Sequence, residues 1–253
     1  MKEFDRLVEV MRKVQKECPW DKKQTHGSIR QYLIEETFEV IDAIDENDDD
    51  SLLEELGDVQ CQVLFHSILA EQRNKFNLED VLKNNTDKMV RRHPHIFGDV
   101  NVKDSDEVLT NWENIKMSEG KKKSVLDGVP KTMPALIKAY RTQSKAARVG
   151  FDWEDPKDVL NKISEEFEEL KQSVKSGDKE EIENELGDLL FSIVNYARKL
   201  EVNPEDSLRR TIRKFRKRFQ FIEKTLKERG TDINDSNLAE MDNLWNKSKE
   251  RFK

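Results

Sequence analysis

The sequence predicts an all-α protein made of two similar helical units in tandem, and three observations support this fold class. The 9 glycines and 6 prolines among 253 residues are too few for the turns of a β-sandwich or the loops of a doubly wound sheet. Charged residues make up 38% and hydrophobic residues 35% of the chain, a balance typical of helices that have an apolar stripe and a broad polar face. No stretch alternates apolar and polar residues for long enough to indicate a strand.

Start and stop signals divide the chain into roughly ten helices. Two capping-box spacings, three prolines suited to first turns and one glycine suited to a helix end give the boundaries. In chain order these signals are Ser28 with Gln31, Ser51 with Glu54, Pro134, Pro156, Pro204 and Gly230. Residues 119–133 hold two glycines, Pro130 and the run Lys121–Lys123, which predicts a linker between units formed by residues 1–118 and 134–253.

The charge balance limits the possible partners. The formal net charge is −7, so the protein as a whole does not attract polyanions, and a phosphate-bearing ligand must be held by a local basic cluster or a metal. Cys18 and Cys61 are too few for a disulfide framework and do not form a zinc-type pair. The N-terminus lacks an apolar signal segment, and no apolar run approaches the ~20 residues that cross a bilayer. We expect a soluble, cytoplasmic protein without a membrane partner.

An internal repeat supports the two-unit organisation. The sequence EETFE at residues 35–39 recurs as EEFEE at residues 165–169, and ELGD at residues 55–58 recurs at residues 185–188. Both motifs are displaced by 130 residues. Because chance seldom preserves two motifs together with their separation, the repeat indicates two related units.

Acidic residues lie at the edge of an apolar stripe on two helices of each unit. At ~100° per residue, Glu36 and Glu39 flank the stripe of one predicted helix, and Glu55 and Asp58 hold the same place on the next. The stripes consist of Leu33, Ile34, Val40, Ile41 and Ile44 on the first helix and of Leu52, Leu53, Leu56, Val59 and Val63 on the second. Packing the stripes together predicts two acidic clusters, which are Glu36, Glu39, Glu55 and Asp58 in one unit and Glu166, Glu169, Glu185 and Asp188 in the other.

The alternative is that these acids form ordinary solvated helix faces, which predicts Lys or Arg partners three or four residues away. The first unit has none at those spacings, and the second has only Lys162. Unpaired carboxylates about 4 Å apart repel by about 4 kcal/mol per pair at an effective dielectric constant of 20, so a cation must offset the repulsion. Oxygen ligands favour Mg²⁺ or Mn²⁺ over zinc. The pattern therefore predicts two metal sites.

The duplicated motif, Glu-Glu-x-x-Glu followed by Glu-Leu-Gly-Asp, resembles the all-α nucleoside triphosphate pyrophosphohydrolases of the MazG family. The sequences CPWD at residues 18–21, QTH at 24–26, RRHPH at 91–95 and VGFDW at 149–153 are also similar, so the resemblance spans nearly the whole chain. It implies two tandem helical-bundle units of the MazG type, a homodimer that completes the sites, and Mg²⁺ dependence. The implied reaction cleaves nucleoside triphosphates to monophosphate and pyrophosphate.

Candidate phosphate ligands are basic side chains, because the sequence has no Gly-rich phosphate loop. Lys214 and Arg218 share one helical face in the most basic segment, residues 209–218. The resemblance implies that both contact phosphates, and Lys88 and Arg92 match them in the first unit at a displacement of 126 residues.

Further site residues follow from the resemblance. It implies nucleotide contacts for Lys162, Glu165 and Trp245, although a lone Trp is more often a core residue; Trp112, displaced from Trp245 by 133 residues, is a weaker match. Tyr32 replaces Lys162 in the first unit, which predicts that the second unit is more active. The extra acids, Glu35 and Glu165, are candidate catalytic residues that either bind a second ion or orient the attacking water.

The function predicted from the sequence is Mg²⁺-dependent pyrophosphohydrolysis of ribo- or deoxyribonucleoside triphosphates, in the house-cleaning of the nucleotide pool. The first alternative is a non-catalytic helical adaptor or nucleotide sensor. The second is a nucleic-acid-binding protein that uses residues 209–218, but the net charge of −7 and the absence of a known reader motif disfavour it. The sequence leaves the preferred base and sugar open.

Overall fold

The computed structural model describes residues 2–119 and 124–252, so Gly120 and Lys121–Lys123 of the predicted linker lie outside the described residues. These residues contain eleven α-helices, two short 3₁₀ turns and no strand, which confirms the all-α prediction. The chain divides into two compact units, residues 1–120 and 121–253. The helices are α1 Lys2–Glu17, α2 His26–Glu46, α3 Asp49–Gln72, α4 Leu78–Arg92, α5 Pro94–Phe97, α6 Ser105–Ser118, α7 Ala135–Ala147, α8 Pro156–Ser176, α9 Lys179–Lys199, α10 Pro204–Glu228 and α11 Leu238–Arg251.

The first unit is organised around the antiparallel hairpin of α2 and α3. Asn47 takes a left-handed conformation (φ 54°) after α2, and the Asp48 side chain accepts a hydrogen bond from the Ser51 backbone N–H, so two residues suffice to reverse the chain. Helix α1 packs against α3, with Met11 touching the small core of Ile29, Phe65 and Leu69. This hairpin places the acidic motif of α2 opposite that of α3.

The second unit repeats the hairpin with α8 and α9. Gly177 adopts φ +79° after α8, and Asp178 caps the first turn of α9. Helix α7 packs on α9, where the Gln143 Nε2 donates to the Phe191 carbonyl at 2.8 Å. Helices α10 and α11 form a second core around Ile222, Leu226 and Leu244. The second acidic motif is thus presented on the same two-helix scaffold as the first.

Two helices begin one turn earlier than predicted. Helix α2 is capped by Thr25 and α3 by Asp48, so the predicted starts at Ser28 and Ser51 are wrong by one turn. The physical reason is that the Thr25 and Asp48 side chains already accept hydrogen bonds from the Ser28 and Ser51 amides.

The glycine and two of the three prolines lie where the signals placed them. Pro156 and Pro204 are first residues of α8 and α10, whereas Pro134 precedes α7 as its N-cap. Gly230 has φ +73° just beyond α10, as a glycine that ends a helix requires.

The apolar stripes beside the acidic motifs are only partly buried in the single chain, so the prediction that they form its core is wrong in part. Ile34, Ile44 and Leu53 are 56%, 55% and 76% exposed. The second unit leaves the corresponding hairpin surface open as well, with Val174 58% and Leu190 47% exposed. The cores lie instead at other positions of the helices. Each hairpin therefore carries an unburied apolar surface next to its acids.

No helix within the described residues combines the length and the apolarity that crossing a bilayer requires.

Candidate active site

Three carboxylates of the first unit converge between α2 and α3. One oxygen each of Glu36, Glu39 and Glu55 lies within 4.8 Å of the other two. Glu36 and Glu39 share a face of α2 because they are three residues apart, and the hairpin brings Glu55 of α3 to them. Asp58, one turn after Glu55, lies close enough that its charge raises the pKa of both Glu36 and Glu55. We name these four residues the first acidic cluster.

The carboxylates of the first acidic cluster repel one another. Removal from water, a hydrogen bond with Glu39 and the negative charges of Asp58 and Glu39 together raise the pKa of Glu36 above its ordinary value. Removal from water and the charges of Glu39 and Asp58 likewise raise the pKa of Glu55. Among the residues that the structure describes, no Lys or Arg forms an ion pair with these four acids. Within the part of the chain that the structure describes, no basic side chain therefore offsets the negative charge of the cluster by an ion pair.

The second unit gathers Glu166, Glu185 and Asp188, whose nearest carboxylate oxygens also lie within 4.8 Å of one another. Glu166 is only 5% exposed, although it is ionisable. Glu169 lies nearby, since the charges of Glu166 and Glu185 add to removal from water in raising its pKa. We name these four residues the second acidic cluster. Its three closest members are one acid of α8 and two of α9, whereas those of the first cluster are two acids of α2 and one of α3.

Lys162 distinguishes the second unit from the first. Its Nζ lies 2.7 Å from a carboxylate oxygen of Glu165 and 2.7 Å from one of Glu166. Hydrogen bonds to Glu165 and Glu166 raise the pKa of Lys162, so it stays charged. Tyr32 replaces it in the first unit and packs against the core that contains Ile29. The lysine–glutamate ion pair that an ordinary solvated helix face predicts is thus present in the second unit.

The candidate catalytic acids lie outside the three converging carboxylates of each unit. Glu35 is exposed on α2, beside Glu36. Glu165 is exposed on α8, with 58% of its side chain accessible, and is held by Lys162. Glu35 and Glu165 are thus both accessible at the surface beside their clusters, and the carboxylate of Glu165 is paired with Lys162.

An arginine stacks on a tryptophan in each unit. The Arg92 guanidinium lies 5.5 Å from the centre of the Trp112 ring, and that of Arg218 lies 5.6 Å from the centre of the Trp245 ring. Lys88 and Lys214 precede these arginines by one turn and share their helix faces. Arg92 and Arg218 are 126 residues apart, and Trp112 and Trp245 are 133 residues apart. Both matches found in the sequence therefore correspond to the same arginine–tryptophan contact in the two units.

The two arginines are already engaged by groups of their own unit. Arg92 donates to Glu119, with Nη2 to Oε2 at 2.5 Å, and Arg91 donates to the same carboxylate. These two arginines lower the pKa of Glu119 to about 2. Arg218 donates through Nη2 to the Phe252 carbonyl at 2.8 Å. Each guanidinium is thereby held in a fixed orientation beside its tryptophan.

Sequence reasoning missed two neighbours of the first cluster on α3. The Gln62 Nε2 donates to Glu36 at 3.5 Å and lowers its pKa, opposing the effect of the neighbouring acids. Burial, together with the charges of Asp58 and Glu36, raises the pKa of the Cys61 thiol. Their spacing of three and four residues from Asp58 places both on the acidic side of α3, and this signal was present in the sequence.

Comparison with known proteins finds one family model that matches the chain twice and relatives that align with nearly its whole length. The MazG nucleotide pyrophosphohydrolase domain matches residues 24–97 and 154–221. The nucleoside triphosphate pyrophosphohydrolase/pyrophosphatase MazG of Thermotoga maritima is 46% identical over 250 residues, which cover 97% of this chain and 95% of that protein. The nucleoside triphosphate pyrophosphohydrolase of Escherichia coli is 39% identical over 98% of both chains. Bacillus subtilis YabN is 49% identical over 92% of this chain and 48% of its own length.

Proposed function

Because the chain belongs to the MazG nucleotide pyrophosphohydrolase family, we propose that it cleaves nucleoside triphosphates to the monophosphate and pyrophosphate in an Mg²⁺-dependent reaction. The observation that carries this proposal is the convergence of three carboxylates in each unit, at corresponding motifs of a duplicated hairpin. Ribo- and deoxyribonucleotides are both candidate substrates. The cellular role that fits such an activity is the removal of unwanted nucleotides from the cytoplasmic pool.

The two clusters fit a hard divalent cation. All of their ligand atoms are carboxylate oxygens, and three of those atoms in each cluster lie within 4.8 Å of one another. Mn²⁺ suits the same ligands. The residues that would hold the ion are Glu36, Glu39, Glu55 and Asp58 in the first unit and Glu166, Glu169, Glu185 and Asp188 in the second. When bound, Mg²⁺ would neutralise charge on the triphosphate and lower the pKa of a water molecule.

Side chains of the chain itself would bind and orient the nucleotide. Lys162, Lys214 and Arg218 supply positive charge for phosphate oxygens. Because Nε and Nη2 of Arg218 donate to the Phe252 carbonyl, its Nη1 would be the group that meets a phosphate oxygen. Trp245 packs on the core of α10 and α11 and lies beside Arg218, and the base would contact the part of its ring that stays exposed. In the first unit Lys88 and Arg92 would hold the phosphates, but Tyr32 contributes no charge, which favours the second unit as the more active one.

The candidate catalytic acids would act on the attacking water. Glu165 lies next to Glu166 and its carboxylate is exposed, so it can accept a proton from water or hold a second ion. Glu35 would do the same in the first unit. Attack at the α-phosphorus breaks the bond to the bridging oxygen and releases pyrophosphate, whose charge Lys214 and Arg218 would stabilise.

The proposal includes a homodimer. The exposed apolar surface of each hairpin, which includes Ile34, Leu53 and Leu190, lies next to the acids. Large apolar patches of this kind commonly mark protein interfaces. A second copy that covered them would exclude water from the clusters and bring further side chains to the bound nucleotide. Light scattering should give the mass of two chains.

The test is a product analysis across a panel of nucleoside triphosphates with Mg²⁺. We expect monophosphate and pyrophosphate as the first products and no activity in chelator. Glu166→Gln combined with Glu36→Gln should abolish turnover and leave the helical content unchanged. The control is Glu168→Gln, because Glu168 is exposed and paired with Lys171, and this variant should retain turnover. Orthophosphate as the initial product would contradict the proposal. Nucleotide binding without any product would support the sensor alternative.

A further inference from the structure

The two acidic clusters differ by one positive charge, and we propose that Lys162 is a displaceable counter-ion that makes metal binding by the second cluster depend on nucleotide. The first cluster, which lacks this lysine, binds metal without nucleotide. The inference rests on the proposed function, because it concerns the same metal and the same substrate.

The position of Lys162 is that of a cation already bound to the cluster. Its Nζ contacts Glu165 and Glu166 at 2.7 Å each. Glu166 is 5% exposed, so water does little to stabilise its charge and Lys162 takes that place. A divalent ion that uses Glu166 must either displace the ammonium group or bind beside it. Both alternatives weaken metal binding.

The first cluster offers the opposite environment. Tyr32, at the position of Lys162, is held among core side chains that include Ile29 and Phe65. The neighbour that donates to Glu36 is the uncharged amide of Gln62. The negative charges therefore remain uncompensated by any lysine of this helix face, and a divalent ion gains the full attraction of the cluster.

A triphosphate changes the balance in the second unit. Lys162 is 34% exposed at its side chain and sits on a flexible stem, so its ammonium group can turn from Glu165 and Glu166 to phosphate oxygens. That movement frees the carboxylates for metal. Nucleotide and metal then bind cooperatively, and thermodynamic linkage requires the effect to be equal in both directions. The consequence is that the second unit holds metal mainly when substrate is present.

The experiment measures Mn²⁺ binding by electron paramagnetic resonance of the free ion, on full-length chains. Glu36→Gln and Glu55→Gln first disable the first cluster, so that the remaining binding reports on the second. Without nucleotide, adding Lys162→Met should raise Mn²⁺ affinity by about tenfold, which is about 1.4 kcal/mol. Lys162→Arg retains the charge and should keep the affinity low.

A matched control and a second measurement separate the charge effect from a structural one. Lys171→Met removes an exposed lysine of the same helix, paired with Glu168 at 2.7 Å, and should leave Mn²⁺ affinity unchanged. A non-hydrolysable triphosphate should raise the Mn²⁺ affinity of the chain that retains Lys162 by about tenfold or more. The gain should be much smaller in Lys162→Met.

The outcomes distinguish the inference from the proposed function. Equal or weaker Mn²⁺ binding in Lys162→Met than in its parent overturns the inference and leaves the proposed function intact. No Mn²⁺ binding in any chain, with or without the triphosphate, overturns both.

Discussion

Replacing Glu36 by Gln should stabilise the metal-free protein and remove its response to Mg²⁺. Glu36 lies within 4.8 Å of carboxylate oxygens of Glu39 and Glu55, and its pKa is raised in the folded state. Glutamine has nearly the same shape, and its amide can keep a hydrogen bond to Gln62. The substitution therefore removes repulsion while the packing is retained.

The expected gain follows from Coulomb's law. At 4.8 Å two unit charges repel by about 0.9 kcal/mol in bulk water and about 3.5 kcal/mol at an effective dielectric constant of 20. Glu36 is partly exposed, so values near the lower figure apply. We expect a gain of about 1 to 2 kcal/mol in the free energy of unfolding at pH 7, or about 2 to 8 °C in melting temperature.

The stability gain of Glu36→Gln should depend on pH. A carboxyl group whose pKa is raised by folding favours the folded state below its ordinary pKa of 4.5 and opposes it as pH rises through the raised value. The advantage of Glu36→Gln should therefore vanish on acidification to about pH 4.

Thermal denaturation in chelator and in Mg²⁺ measures the effect. Mg²⁺ should raise the melting temperature of the wild type and have much less effect on Glu36→Gln. The control Glu168→Gln breaks an exposed ion pair with Lys171 and should give no gain in chelator. A lower melting temperature of Glu36→Gln in chelator, or a normal response to Mg²⁺, would refute the reasoning.

Three further predictions address the other parts of the site. Asp188→Asn should remove most of the pyrophosphate release and Asp58→Asn only a minor share; equal losses would contradict the assignment of the second unit as the more active. Trp245→Phe should raise KM severalfold and remove most of the change in tryptophan fluorescence on nucleotide binding, and an unchanged signal would exclude Trp245 as a base contact. Glu119→Gln should melt below the wild type at neutral pH because it releases Arg92, and the difference should shrink as pH falls from 4.5 towards the lowered pKa of about 2; a pH-independent difference would argue against this ion pair.

The helices and the convergence of the acids could be predicted because both depend on local periodicity. Residues three apart share a helix face whatever surrounds them, so the spacing of Glu36 and Glu39 fixes their common direction. The repeat then indicated that two helices face each other in the same way in both units. Pro156 and Pro204 gave correct helix starts because proline is suited to the first turn, where its missing N–H has no cost.

The burial of the apolar stripes could not be predicted from the sequence. A periodic stripe shows that one face avoids water, but it does not show whether that face packs within the chain or against a second copy. In the single chain Ile34 and Leu53 are exposed, although both lie on the predicted stripe. The helix starts were misplaced because Thr25 and Asp48 are equally good caps as the serines that follow them, and only the geometry chooses between them.

The partner of Lys162 was equally ambiguous in the sequence. A lysine three and four residues before two acids can form a helix-face ion pair or hold a phosphate. The structure contains the ion pair, with Glu165 and Glu166. Both roles fit one residue if the ammonium group changes partners when the nucleotide binds.

Calorimetric titration of Mg²⁺ into the protein with a triphosphate that cannot be cleaved between its α- and β-phosphates tests the account most directly. The wild type should show saturable binding, and the chain carrying Glu36→Gln, Glu55→Gln, Glu166→Gln and Asp188→Asn should show none while keeping its helical content. Mg²⁺ binding of the same affinity in that variant would contradict the account.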